Sequence, residues 1–243
     1  MASTRRFSLI GPGRAGMALH AALVAVGWEC AEVFGRGDDV STAATDVDVC
    51  VIATADAAIA DVAAAITPGP AVVLHLSGAT PLTALGEHTA AALHPLVSLV
   101  DSEAGAVALR GAHFAVAGDP IAKEIAQQLS GHWFEISDSD RALYHCAAAI
   151  ASNHTVALLG QVERIATSIG VPLDAFIPLV QASLENTWGL GPQAALTGPA
   201  GRGDQATIDA HRAALADLHP TELESYDAMV RLAERLAGKL GDS

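Results

Sequence analysis

The sequence predicts an α/β domain built on a doubly wound, mainly parallel sheet, followed by an all-α domain. Two features of the chain carry this. From Phe7 to about Ile136, short β-type runs alternate with Ala-rich helical runs, the pattern of βαβ units around a parallel sheet. After Ile136 the β-type runs stop and helical runs continue to the end. The composition agrees, since 51% of the 243 residues are hydrophobic and 16% charged, ample for a buried core. The domains are expected at 1–137 and 138–243.

Strands are expected at Phe7–Ile10, Cys30–Phe34, Val49–Ala53, Ala71–Leu76, Ala91–His94, Phe114–Ala117 and Trp133–Ile136. The first helix should run from about Ala15 to Val26, with Gly27 as its stop. Asp138 is placed to cap a long helix reaching about Ile169, where Gly170 and Pro172 end it. Further helices are expected at about Asp174–Asn186, Gln205–Ala216 and Thr221–Leu240, with a Gly/Pro-rich stretch between the first two.

A formal net charge of -14 excludes a surface built to grip nucleic acid or anionic lipid, because phosphate binding needs clustered Lys and Arg. A small molecule is the expected partner, and any anionic cofactor must be held by a local positive feature. Cys30, Cys50 and Cys146 sit in apolar segments without a CxxC or CxxH pair, so they read as reduced core thiols and no metal is expected. The start lacks a signal-peptide apolar stretch, and no apolar run approaches the ~20 residues that span a bilayer. A cytoplasmic protein is the expectation.

Ile10-Gly11-Pro12-Gly13-Arg14-Ala15-Gly16 follows a β-type run and opens a helical one, the context that gives GxGxxG its meaning. Gly11 permits the tight turn, Gly13 lets backbone approach a diphosphate, and Gly16 lets helix and strand pack closely. This is the Rossmann arrangement. About 20 residues on, where an acid would select the ribose 2′-hydroxyl of NAD, the chain reads Val33-Phe34-Gly35-Arg36. A guanidinium there suits a 2′-phosphate, so NADP(H) is the expected cofactor, with Asp38 or Asp39 on the ribose as the competing reading. Arg14 is a further phosphate candidate. Ala53, Thr54, Ala55 and Asp56 are candidates by position at a strand end.

Read together with this loop, His75-Leu76-Ser77-Gly78, Leu93-His94-Pro95-Leu96, Tyr144-His145, Asn153, and Ala195 to Pro199 through Arg202-Gly203-Asp204 give the chain a family resemblance. It resembles the Rossmann-like proteins that carry the helical "domain of unknown function 2520". TGPxxRGD, followed by Thr207 and His211, is the most specific part. The architecture is similar to 3-hydroxyisobutyrate dehydrogenase, pyrroline-5-carboxylate reductase and ketopantoate reductase. The resemblance implies an all-α C-terminal domain of the 6-phosphogluconate dehydrogenase-like type, a homodimer through it, and hydride transfer to a small carbonyl or imine in a cleft between the domains. Related dehydrogenases carry a serine at the position of Ser77, which would hold a substrate carboxylate, and Ser77 and Gly78 are also expected to touch the cofactor.

One departure stands out. Those hydroxyacid dehydrogenases place a lysine four residues before the asparagine that Asn153 matches, and Ala149 stands there instead. Lys123 and Lys239 are the only lysines and lie in remote segments, so another group must donate the proton. His145 is the first candidate, because eight helical residues leave it within about 80° of Asn153 and an imidazole exchanges protons near neutrality. Its competing reading is a core histidine. Asn153 would orient the substrate. His94 and Ser98 end a strand beside Ser77. Arg202, a guanidinium among glycines, suits a substrate carboxylate, with His211 on the helix that follows, while Asp204 reads as that helix's N-cap.

These readings combine into an NADP(H)-dependent reductase of a small 2-oxo acid or imine, ketopantoate being the first candidate by analogy. A catalytically idle protein that binds or senses NADP(H), and a deazaflavin-using relative, are the competing readings.

Overall fold

Seven strands form one sheet, and each falls on an expected run: β1 (Arg6–Ile10), β2 (Glu29–Phe34), β3 (Val49–Ile52), β4 (Val72–His75), β5 (Ala90–Pro95), β6 (His113–Gly118) and β7 (His132–Glu135). The computed structural model describes residues 4–239, so Leu240, the expected end of the last helix, lies outside them. The spatial order is β2-β1-β3-β4-β5-β6-β7. The chain runs outward from β1 to β2 and returns to the other side of β1 as β3, which makes the β1/β3 edge the switch point where ligands of such sheets bind. Ile10 lies opposite both Phe34 and Ile52 in the parallel ladders.

β3 shows why these runs read as continuous apolar segments. All four of its residues are buried, Val49 and Val51 in one core layer and Cys50 and Ile52 in the other, because helices cover both faces of the sheet. Burying such side chains stabilises the fold by about 1.5–3 kcal/mol each. The sheet is not wholly parallel. β6 runs antiparallel to β5, with His94 opposite Ala115, and the Leu96 N–H donates to the His113 carbonyl at 2.8 Å, which closes the end of β5 onto the start of β6.

Helix α1 (Arg14–Ala25) starts one residue before its expected position and stops as expected. Gly27 takes φ +94° and the Trp28 N–H donates back to the Leu23 carbonyl at 3.0 Å. α2 (Ile59–Ala65), α3 (Ser102–Leu109) and α4 (Ile121–Gln128) complete the layers.

The expected long helix is corrected in two places. It begins at Arg141, as α5 (Arg141–Ala149), and Asp138 does not cap it. The Asp138 carboxylate instead accepts the Leu82 N–H at 3.0 Å and the Arg141 Nε–H at 2.7 Å. The run is then interrupted by a π turn at Ile150–His154 before α6 (Thr155–Ser168). The chain divides into two compact units, 1–153 and 154–243, so residues 138–153, assigned by sequence to the helical domain, group with the sheet. Cys146 is also corrected, since it is exposed on α5 while Cys50 is buried.

The second unit continues with α7 (Ile177–Leu190), the single turns α8 (Pro192–Ala195) and α9 (Pro199–Arg202) inside the Gly/Pro-rich stretch, α10 (Gln205–Leu218) and α11 (Leu223–Leu236). Asp204 caps α10 as expected, accepting the Thr207 N–H at 3.1 Å and its hydroxyl at 2.8 Å. Ala200, Ile208 and Val230 form its buried cluster, with Tyr226 and Ala233 packed against them. The Arg164 guanidinium reaches Glu222 through two bonds, 2.5 and 3.1 Å. None of the residues of α7 is buried, and Trp188 is 81% exposed. Among the described residues no helix is long and apolar enough to cross a membrane.

Candidate functional site

The glycine turn sits at the C-terminal exit of β1. The Gly11 N–H donates to the Phe34 carbonyl at 2.9 Å and the Ala53 N–H to the Ile10 carbonyl at 2.8 Å, so the turn is tied to the exits of β2 and β3. Gly11 has φ +94°, and a Cβ there would lie 2.8 Å from the Ala53 carbonyl oxygen. A Cβ on Gly16 would lie 2.3 Å from the Gly11 carbonyl oxygen. Both glycines are therefore required by packing. Gly13 differs, because a Cβ there would meet nothing within 4 Å. It is the N-cap of α1 and contributes no side-chain cap, so the first N–H groups of that helix face open space. These residues fit a diphosphate.

A cavity of about 650 Å³ opens over this turn. Of the residues singled out in the sequence, Gly11, Pro12, Gly13, Gly35, Arg36, Asp38, Thr54 and Ala55 line it. Arg14, Ala15, Gly16 and Ala53 do not; Gly16 is buried beneath the turn, against Ala53. Ser77 and Gly78 are not part of it either, lying at the exit of β4. The far wall, Ala58, Asp61, Val62 and Ala65, was missed by the sequence reading, although its i, i+3, i+4, i+7 spacing marks one helical face. Asp38 and Asp39 are both engaged by backbone, Asp38 accepting the Gly35 N–H at 2.7 Å and Asp39 the Ser41 N–H at 2.9 Å.

A second cavity, of about 400 Å³, lies between the exit of β5 and the α5–π-turn segment. His94 and Ser98 line it from one side, and His145, Ala149, Ser152 and Asn153 from the other. The π turn explains how both His145 and Asn153 reach it. An α-helix would leave them offset, whereas a π turn takes more residues per revolution and swings Asn153 back toward the face of His145. Ala149, at the position of the missing lysine, lines the cavity with a methyl group. Lys123 is bonded to Glu135, and Lys239 donates to the Ala200 carbonyl at 3.0 Å.

Histidines dominate this region. The ring of His94 lies edge-on to His145, centroids 5.9 Å apart, and its Nδ1 is 2.6 Å from the Tyr144 hydroxyl. Burial pushes His94 down to about 4, His145 adding to the effect and Asp56 opposing it. His75, at the end of β4, is wholly buried, and burial followed by the Arg141 charge pushes it down to about 4. Tyr144 is pushed up to about 12 by burial. A Cβ on Gly78 would lie 2.9 Å from His145 Cδ2 and 3.0 Å from His94 Cε1, so only glycine lets both rings close in.

Ser77 is corrected. It does not line the cavity; it is buried, and its hydroxyl oxygen accepts the Ala79 and Thr80 N–H groups at 3.1 and 2.9 Å, a turn-stabilising arrangement. Arg202 and His211 belong to the second unit. Arg202 is exposed, donates to the Thr197 carbonyl and stands 3.9 Å from Asp204, while His211 Nδ1 lies 2.8 Å from the Tyr226 hydroxyl. Tyr144 is the residue whose part the sequence reading overlooked, since nothing local announces its bond to His94, fifty positions away.

This sheet order, with a glycine turn at its switch point and a helical unit following, defines a Rossmann-like protein with a helical second unit. The chain belongs to the family described as "Domain of unknown function (DUF2520)", whose model matches residues 111–233, just over half of it. No curated protein sequence matches the chain. Among solved structures it is similar to a candidate NADP oxidoreductase from Bacteroides fragilis, at 20% identity and a TM-score of 0.83, covering 96% of this chain and 98% of that one. It is similar to a reductive aminase from Aspergillus terreus solved with NADPH and ethyl levulinate, at 14% identity and a TM-score of 0.72 over 98% of each chain. A pyrroline carboxylate reductase from Plasmodium falciparum, solved with NADP, gives 12% identity and a TM-score of 0.60 over 98% of this chain and 99% of that one. At such identities the likeness establishes the fold.

Proposed function

We propose that the protein is an NADP(H)-dependent reductase of a small 2-oxo acid or imine. The observation that carries this is one sheet edge holding two cavities, an open glycine cradle with Arg36 at its rim and a pocket lined by His94, His145 and Asn153. β1 and β5 are three strand spacings apart in the sheet, about 14 Å, comparable to the reach of an extended dinucleotide. The structural relatives solved with NADP or NADPH support the same cofactor.

In this reading the N–H groups opening α1 hold the diphosphate and Arg36 forks onto the 2′-phosphate. Ala58, Val62 and Ala65 supply an apolar wall for the adenine. The nicotinamide, when bound, supplies a hydride. His145 transfers the proton to the substrate oxygen or nitrogen, and Asn153 orients the substrate. Arg202, exposed on the second unit, is the candidate for a substrate carboxylate.

The test is NADPH consumption with a panel of 2-oxo acids, ketopantoate first, and cyclic imines. Turnover with one of them, reduced at least a hundredfold by His145→Ala, is expected. Tight NADPH binding with no turnover across the panel would establish the competing reading, a protein that binds or senses the nucleotide.

We also propose a cytoplasmic homodimer. The apolar, wholly unburied α7 and the small core of the second unit support a second copy covering that face, and the unpaired cysteines support a reducing compartment.

A further inference from the structure

His94 and Tyr144 meet at the wall of the histidine-lined cavity, 2.6 Å apart from Nδ1 to hydroxyl oxygen. An imidazole nitrogen is a far stronger base than a phenol oxygen, so in such a pair the phenol donates and the ring nitrogen accepts. Burial keeps both groups in the required forms, Tyr144 pushed up to about 12 and His94 down to about 4, so at neutral pH the phenol keeps its proton and the ring is uncharged. Of the groups facing His94, His145 and Arg141 on α5 favour the neutral ring and Asp56 beyond β3 opposes it.

The pair is also held mechanically. The Tyr144 ring packs edge-on against Phe134 of β7, centroids 5.8 Å apart, and meets the His94 ring at 85°. Gly78 seats the other side, its missing Cβ leaving room for the His94 ring at 3.0 Å. With Nδ1 engaged by the phenol, Nε2 is the nitrogen left to meet a substrate in the cavity that His94 lines.

We propose that Tyr144 is a positioning residue for His94, holding the ring in the tautomer that presents Nε2–H to the cavity as a neutral donor to the substrate's carbonyl oxygen or imine nitrogen. This rests on the reductase reading, and it gives two neighbouring histidines separate tasks. His94 polarises the acceptor without giving up a proton, and His145 transfers one. The bond to Tyr144 is what gives His94 its own task.

The ring nitrogens of His94 in 15N-labelled full-length protein at pH 7 report this directly, without coenzyme or substrate. In the wild type, Nδ1 is expected as a hydrogen-bonded acceptor and Nε2 as the protonated nitrogen. Tyr144→Phe keeps the ring on Phe134 and should move the Nδ1 signal toward that of an unbonded acceptor. A wild-type proton on Nδ1, or an unchanged Nδ1 signal in the variant, overturns the proposal. In turnover, Tyr144→Phe should lower kcat on the order of tenfold to a hundredfold, with KM and NADPH affinity unchanged. His94→Gln, whose amide N–H stands near the place of Nε2–H, should keep more activity than His94→Ala; equal loss overturns the donor role. If no variant or wild type turns over any substrate while the spectra behave as expected, it is the reductase reading that fails, and the tautomer assignment stands.

Discussion

Asp38 folds back onto its own strand exit, its Oδ2 accepting the Gly35 N–H at 2.7 Å, which engages one oxygen of a carboxylate that lines the cavity. Asp39 is held by Ser41 in the same way, and Arg36 is the cation lining the cavity, beside Asp38 and Asp61, that a 2′-phosphate would meet. Arg36→Ala should weaken NADPH binding by about tenfold to a hundredfold, the worth of a charge-assisted hydrogen bond, and leave NADH binding nearly unchanged. Calorimetric titration with both coenzymes checks it; an equal loss for the two would remove Arg36 from 2′-phosphate recognition.

Gly13 and Gly16 should separate binding from packing. A Cβ on Gly16 would sit 2.3 Å from the Gly11 carbonyl oxygen and 3.0 Å from Ala53 Cβ, so Gly16→Ala should cost about 1–3 kcal/mol and lower Tm by several degrees. Gly13→Ala meets no protein atom within 4 Å and should leave Tm within about a degree while cutting NADPH affinity, because its methyl group would occupy the diphosphate's approach. A Gly13→Ala protein that binds NADPH like the wild type would place the diphosphate elsewhere.

Acid should destabilise the fold before most carboxylates titrate. His75 and His94 are both pushed from 6.5 down to about 4, burial first in each case. An unfolded chain returns them to their ordinary value, so between those limits the unfolded state binds more protons than the folded one. The stability these neutral rings contribute is therefore fully present above about pH 6.5 and is lost as pH falls toward 4, at about 1.4 kcal/mol per pH unit for each histidine. Urea unfolding at a series of pH values should show this slope, and His75→Gln should reduce it by about half. An undiminished slope would exclude His75 as a source.

The exposed face of α7 gives a prediction for assembly. Trp188 at 81% exposed, Ile177 at 51% and Leu184 at 45% recur at helical spacing on one face of α7 and form an apolar surface that a second copy would cover. Light scattering should report a dimer for the wild type and a monomer for Trp188→Glu, with the sheet unit's NADPH affinity retained. A Trp188→Glu dimer would move the interface to another face.

Much of the first unit was legible in the sequence because its signals are local. Each strand of the sheet falls on a short β-type run, and burial on both faces is what makes β3 read as Val-Cys-Val-Ile without alternation. Gly11, Gly13 and Gly16 announced the turn because the steric demands on Gly11 and Gly16 arise within a few residues of chain. Gly27, Gly170 and Asp204 marked helix ends for the same reason. The surroundings of the second cavity were less legible. An Asp before a helical run usually caps it, yet the partners of Asp138 are Arg141 and the distant Leu82 N–H. The Ser77 hydroxyl, expected to hold a substrate, turns inward to bind its own loop.

The sequence by itself determined the order of strands and helices, the glycine turn and the guanidinium at the end of β2, because backbone conformational preference and apolar periodicity act over a few residues. Only the tertiary structure decided that β6 reverses against β5, that a π turn returns Asn153 to the face of His145, and that Tyr144 binds His94 across fifty positions. Those outcomes depend on which distant groups exclude water together, and a buried imidazole acquires its partner and its protonation state only when the elements around it have packed.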